Sequence, residues 1–165
     1  MSRWFERFGF AEVGDDLLVG AYPVDAADVA AIAQAGADVL VNLCEDSEYA
    51  EGERDALASA LSEVGIDEHR VPVEDYGALP PRAIDRAVEA VTGELEAGRR
   101  VYLHCRAGWQ RSAAIAAAAV AVREELDVEA ALARVRDRKA TAEPLAHQRA
   151  DLLAWWRERS VGDGS

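Results

Sequence analysis

Apolar positions along the chain fall into two rhythms. In the first, short runs rich in Val and Leu are bounded by Gly, Pro and Asp. "FGFAEVGDDLLVGAYP" reads as two short strands around a Gly14-Asp15-Asp16 turn. "ADVLVNLC" has the Val and Leu content of a buried strand, and "DEHRVPV" and "RRVYLH" read as two more. In the second, apolar residues recur at helical spacing. "DAADVAAIAQAG" is expected to be a helix with Asp25 as N-cap and Gly36 at its end. "SEYAEGERDALASALSEVG" turns helical toward Gly65, and "RAIDRAVEAVTGELEAG" is amphipathic up to Gly98. Helices are also expected from Ser112 to about Glu125, over "DVEAALARVRDRK" and over "PLAHQRADLLAWWRER". "EDYGALPP" is a loop, with Gly77, Pro80 and Pro81 as breakers.

Strands alternating with helices predict an α/β fold: one domain with a central, largely parallel mixed sheet of about five strands flanked by helices. The final run of three helices is expected to cover one face. A length of 165 residues fits a single domain. The expected boundaries are a domain over 1–160 and a frayed tail over 161–165, within "SVGDGS".

Charge narrows the picture. Asp and Glu number 31 against 18 Lys plus Arg, for a net charge of −13, and Lys139 is the single lysine. The acidic residues are spread through the chain. This pattern fits a halophilic, salt-adapted surface and disfavours nucleic acid as a partner. No run is long and apolar enough to span a membrane, and "MSRWFERFGF" lacks a signal core, so a cytoplasmic location is expected. A monomer is the default. The two cysteines, Cys44 and Cys105, show no zinc-ligand spacing, and no metal or other cofactor is expected.

The segment "VYLHCRAGWQRSAAIAAAAVAV" carries the chemistry. Cys105 stands where a strand gives way to a helix. In open α/β sheets, ligands bind beyond the carboxyl ends of the strands. The free N–H groups at the start of the next helix face the loop, and Gly108 lets the backbone turn tightly. Such a loop is an anion cradle. Arg111 adds a planar, bidentate donor suited to phosphate oxygens. The same positive field favours a Cys105 thiolate, placed to attack the phosphorus of a bound phosphate monoester.

The whole string H-C-x-x-G-x-x-R-S is met at every fixed position by His104, Cys105, Arg106, Ala107, Gly108, Trp109, Gln110, Arg111 and Ser112. The chain therefore resembles the cysteine-based protein tyrosine phosphatase superfamily, in its small dual-specificity branch, from about Phe8 to Trp156. The resemblance implies phosphomonoester hydrolysis through a phosphocysteine on Cys105. It implies a phosphate-binding loop from His104 to Arg111, with Arg111 as the clamp. Ser112 would hydrogen-bond the thiolate, and His104 would orient the loop. The substrate would be a phosphorylated protein or a small phosphomonoester.

The resemblance also implies a general acid from a mobile loop about thirty residues before the cysteine. Asp75, thirty positions before Cys105, fits that place and opens a loop with Gly and Pro hinges. Glu74 is the adjacent competitor. Glu45 and Asp46 follow a strand and are read as a solvated loop near the site. The Trp-Pro-Asp lid of the larger tyrosine phosphatases is missing, which implies a shallower pocket.

Gln110 stands where the family has a small residue, and either crowds the loop or positions water. Arg106 adds a second cation, suited to polyanions such as phosphoinositides or simply exposed. Trp109 is a candidate pocket wall. Trp155 and Trp156 read as packing, with one ring partly exposed, and Arg138 and Lys139 as a solvated face. Cys44, at the end of a neighbouring strand, is either a buried apolar residue or a disulfide partner for Cys105.

Two other functions compete. "CRAG" resembles the cysteine loop of rhodanese-like sulfurtransferases, but the five residues between Cys105 and Arg111 suit a tetrahedral phosphate. A non-catalytic phosphate-binding module is the other, and it usually lacks the cysteine, arginine or acid that are all present here.

Overall fold

The structure, a computed structural model, describes residues 1–163. Five strands form one sheet: β1 (Phe10–Gly14), β2 (Leu17–Gly20), β3 (Val39–Asn42), β4 (Asp67–Arg70) and β5 (Val101–His104). Their order is β1-β2-β5-β3-β4. Only β1 and β2 run antiparallel; β2–β5, β5–β3 and β3–β4 are parallel. The expected α/β architecture is therefore the observed one.

The three central strands are buried on both faces, and alternate side chains serve opposite cores. Leu17, Val19, Val39, Val41, Val101 and Leu103 point to one side; Leu18, Leu40 and Tyr102 point to the other. The first side is covered by α4 (Pro81–Glu96), α5 (Arg111–Glu124), α6 (Val128–Arg138) and α7 (Ala146–Asp163). The last three helices do share a face, as expected, and α4 joins them. Every residue from Ala113 to Ala119 in α5 is fully buried. Its small side chains let α5 sit at the centre of the layer with neighbours on several sides.

The opposite side carries α1 (Arg3–Phe8), α2 (Ala26–Gln34) and α3 (Glu53–Val64). Asp25 caps α2 in a capping box with Asp28, as its sequence suggests. The periodicity did not point to α1. It is held by a long-range contact: the Ser2 N–H and hydroxyl donate to the Asp28 carboxylate at 2.9 and 2.6 Å. The Ser2 hydroxyl oxygen in turn accepts the Phe5 N–H and caps the helix.

At the other end, α7 continues to Asp163, three residues into the segment expected to be frayed. The rest of that segment, Gly164 and Ser165, lies outside the described residues.

Candidate active site

β5 is the middle strand of the sheet, and the chain leaves its carboxyl end at Cys105. It closes a short loop over Cys105–Gln110 and enters α5 at Arg111. The loop needs two glycines that touch. Gly108 has φ +77, and a Cβ on it would come within 2.6 Å of the Gly20 backbone at the end of β2. A Cβ on Gly20 would overlap Phe10 and Tyr102. The loop can therefore wrap inward only over a bare backbone. The first turn of α5 has no side-chain cap, so its positive end faces the loop.

Cys105 is buried, with its Sγ 3.2 Å from the Ser112 hydroxyl. His104 is fully buried beneath the loop, and its Nδ1–H donates to the Cys105 carbonyl at 2.9 Å. Burial pulls its imidazole down to about 4, more than the carbonyl hydrogen bond opposes, so the ring is neutral at physiological pH. Its Nε2 has no partner.

Arg111 is almost completely buried. Its two terminal nitrogens grip Glu48 in a two-point pair at 2.9 and 2.7 Å, and Nη1 also donates to the Val73 carbonyl at 2.9 Å. Burial alone would weaken the guanidinium charge. The Glu48 hydrogen bonds and carboxylate, with Cys105 and Cys44 nearby, overcome this and push it up. Burial likewise pushes the Glu48 carboxyl up, but Arg111 and the Glu45 backbone N–H outweigh it and hold Glu48 below the usual range. Arg111 Nε is left buried without a partner. Arg111 and Cys105 line the same cleft.

Glu48 is the residue that sequence reasoning missed. The carboxylates singled out after β3 were Glu45 and Asp46. Asp46 is exposed and pairs with Arg70 at 2.5 Å, and Glu45 lends its backbone N–H to Glu48. The short 3₁₀ turn Asp46–Glu48 rotates the third residue, not the first two, toward Arg111.

Asp75 is brought to the same place. Its Oδ1 lies 3.3 Å from Arg111 Nη2, and its side chain keeps 32% exposure. Glu74 points to solvent. Asp75, Tyr76, Cys105, Gln110, Arg111, Trp109 and Arg106 line a cleft of about 190 Å³, closed on one side by Trp4 and Phe8 of α1. Trp109 is thus a wall, as suspected. Arg106 is not a free cation: it lies over the Trp4 and Tyr22 rings at 5.4 and 5.1 Å and donates to the Glu48 carbonyl at 2.8 Å.

Other expectations resolve simply. Trp155 is buried with its indole N–H on Asp85 at 2.7 Å, and Trp156 is half-buried. Arg138 is exposed, but Lys139 is not on a solvated face: it is 6% exposed and donates to the Thr141 hydroxyl at 2.7 Å. Burial pulls its ammonium down, and Cys105 opposes that. Packing of the segment after α6 under the loop, fixed by the Glu143 N–H on the Trp109 carbonyl at 2.6 Å, accounts for this. Cys44 and Cys105 are free thiols at the ends of adjacent strands. Burial pushes the Cys44 thiol well up, which keeps it protonated and a poor partner for disulfide exchange. Among the described residues, no cluster of potential metal ligands is found, and no helix is long and apolar enough to cross a membrane.

A cysteine loop of this shape on this sheet defines a cysteine-based phosphatase. Residues 19–158 match the family described as dual specificity phosphatase, catalytic domain, and the chain belongs to that family. Among solved structures, Tk-PTP in a mutant form is similar at a TM-score of 0.79 with 20% identity, covering 92% of this chain and 97% of that one. PTPMT1 is similar at 0.79 with 18% identity, covering 94% and 98%. Human DUSP28 follows at 0.69 with 22% identity, covering 92% and 95%. At these identities the likeness is one of fold. PTPMT1 has also been solved in complex with PI(5)P. No curated protein sequence matches the chain.

Proposed function

We propose that this phosphatase hydrolyses phosphomonoesters through a phosphocysteine on Cys105, with Asp75 as general acid and then base. The observation that carries the reading is the meeting of three groups in one cleft: Cys105 Sγ, the buried Arg111, and Asp75 at 3.3 Å from that arginine.

The phosphate sits in the loop amides and takes Arg111 Nε, while competing with Asp75 for Nη2. The Cys105 thiolate attacks phosphorus; the S–P bond forms as the bond to the leaving oxygen breaks. Asp75, freed from Arg111, gives its proton to that oxygen. In the second step the Asp75 carboxylate takes a proton from water, whose oxygen attacks phosphorus. The S–P bond breaks, and the Ser112 hydroxyl at 3.2 Å stabilises the returning thiolate. His104 holds the loop from below and Glu48 holds the arginine.

The reading needs no metal. The catalytic unit is taken as residues 1–160, because β1 and α1 precede the family segment yet complete the sheet and the cleft. The acidic chain is read as a cytoplasmic, monomeric protein acting on a phosphorylated protein or small phosphomonoester.

The test is phosphate release from p-nitrophenyl phosphate. Wild type should turn over, Cys105→Ser should be inactive, and Asp75→Asn should be slowed about 100-fold or more. An active Cys105→Ser variant would overturn the mechanism.

A further inference from the structure

The C-terminal helix α7 carries three hydrogen-bonding side chains at a spacing of four residues: His147, Asp151 and Trp155. Residues so spaced share one face of a helix. All three reach the stretch that runs from the Asp75 loop into α4. The His147 Nε2–H donates to the Gly77 carbonyl at 3.0 Å. The Leu79 N–H donates to the Asp151 carboxylate at 2.8 Å, and the Trp155 indole N–H donates to the Asp85 carboxylate at 2.7 Å. The helix that carries these groups is itself fixed. Leu152 and Trp155 are buried in the core, and Arg149 pairs with Glu129 of α6.

The Asp75 loop is held differently on its two sides. Before Asp75, the Val73 carbonyl accepts from Arg111 Nη1 at 2.9 Å, and Asp75 itself meets Nη2 of the same guanidinium at 3.3 Å. After Asp75 comes Tyr76, at φ +60 and with its side chain largely in solvent. A non-glycine residue keeps that left-handed conformation only where its surroundings hold it there. Among the described residues, the hydrogen bonds that join residues 76–79 to another element are the two from α7. When a phosphate takes Arg111 Nη2, Asp75 loses its own contact. The place of its carboxyl then depends on how the loop is anchored on either side.

Resting on the phosphatase reading, we propose that α7 is the mount of the Asp75 loop, with His147 and Asp151 as positioning residues that keep the Asp75 carboxyl in reach of the leaving oxygen. Neither residue touches the reacting atoms. Their effect falls on proton transfer, because a general acid works only within hydrogen-bond reach of the oxygen it protonates. The effect therefore grows with the basicity of that oxygen. A nitrophenolate leaves with little help, whereas a phenolate, with a pKa of about 10 as in a Tyr side chain, needs the proton.

The experiment measures kcat/KM, which covers the steps up to loss of the alcohol, for p-nitrophenyl phosphate and for phenyl phosphate. The quantity read is the ratio of the first to the second. Asp75→Asn should raise it well above wild type and marks the full effect. His147→Ala and Asp151→Ala should each raise it about fivefold. Asp151→Asn, which keeps an acceptor for the Leu79 N–H, should restore the wild-type ratio. Trp155→Phe removes the hydrogen bond farthest from Asp75; it should lower Tm and leave the ratio unchanged. His147 is exposed, so His147→Ala keeps the test open even if Asp151→Ala does not fold. A raised ratio in Asp75→Asn with an unchanged ratio in every folded variant of His147 and Asp151 would overturn this proposal alone. Equal losses on both substrates in those variants would do the same, since they would mark a merely structural role. No turnover by wild type, or an unchanged ratio in Asp75→Asn, would overturn the phosphatase reading or its general acid along with it.

Discussion

Arg111 shows how one buried charge organises this site. A guanidinium so deeply enclosed needs a counter-charge, and Glu48 supplies it through two hydrogen bonds. Removing that partner should cost about 3 kcal/mol. Glu48→Ala is therefore expected to lower Tm, and inorganic phosphate should recover part of the loss by giving Arg111 another anion; thermal melts with and without phosphate check both halves. His104 makes a second residue-scale prediction. Its buried imidazole titrates at about 4, below the ordinary 6.5, so the unfolded chain binds a proton first as pH falls. The stability it contributes is present above pH 6.5 and is lost progressively down to pH 4, by roughly 3 kcal/mol in all. Denaturant melts across that window should show the slope, and His104→Gln should flatten it. Cys105, Arg111 and Ser112 were legible as candidates because they lie in one short stretch with fixed spacing. Glu48 was not, because its partner is 63 positions away and only the turn after β3 selects it over Glu45 and Asp46.

The element that matters most is the turn from β5 into α5. Its geometry depends on contact between two stretches of backbone, at Gly108 and at Gly20 of β2. Gly108→Ala must both strain a residue at φ +77 and push a Cβ into the Gly20 backbone. The loop amides would shift by a fraction of an ångström or more. Turnover is expected to fall about 100-fold, with a lower Tm, in assays of p-nitrophenyl phosphate and a thermal melt. Wild-type turnover in Gly108→Ala would mean that the loop tolerates another path. Strands and long helices were readable from their apolar runs and caps. The six-residue α1 was not, since two of its residues are arginines and its cap depends on Asp28, far along the chain. That omission hid the aromatic side of the cleft.

For the whole molecule, the net charge of −13 is carried by residues distributed over many elements. Close ion pairs such as Arg54–Glu68 and Arg99–Asp67 neutralise some of it, but the excess of carboxylates remains. Self-repulsion of that excess is screened by salt. Stability and activity are expected to rise from dilute buffer to molar KCl. Melts in a KCl series check this, and full stability in dilute buffer would contradict the salt-adapted reading. Alternation of strands and helices was enough to predict the parallel sheet, because each parallel pair requires a crossover. It did not give the strand order, which placed β5 between β2 and β3 and so centred the cysteine loop.

By itself the sequence determined the α/β class and the place of the cysteine loop, from His104 to Ser112, between a strand and a helix. Both are signalled by residues close together along the chain: caps, turn glycines, a helix start after a strand. The tertiary structure alone decided that Glu48 holds Arg111, that Arg106 turns inward, that Lys139 is buried, and that Trp4 and Phe8 wall the cleft. Those outcomes depend on desolvation and on charges meeting across tens of residues, and burial is a property of the folded whole.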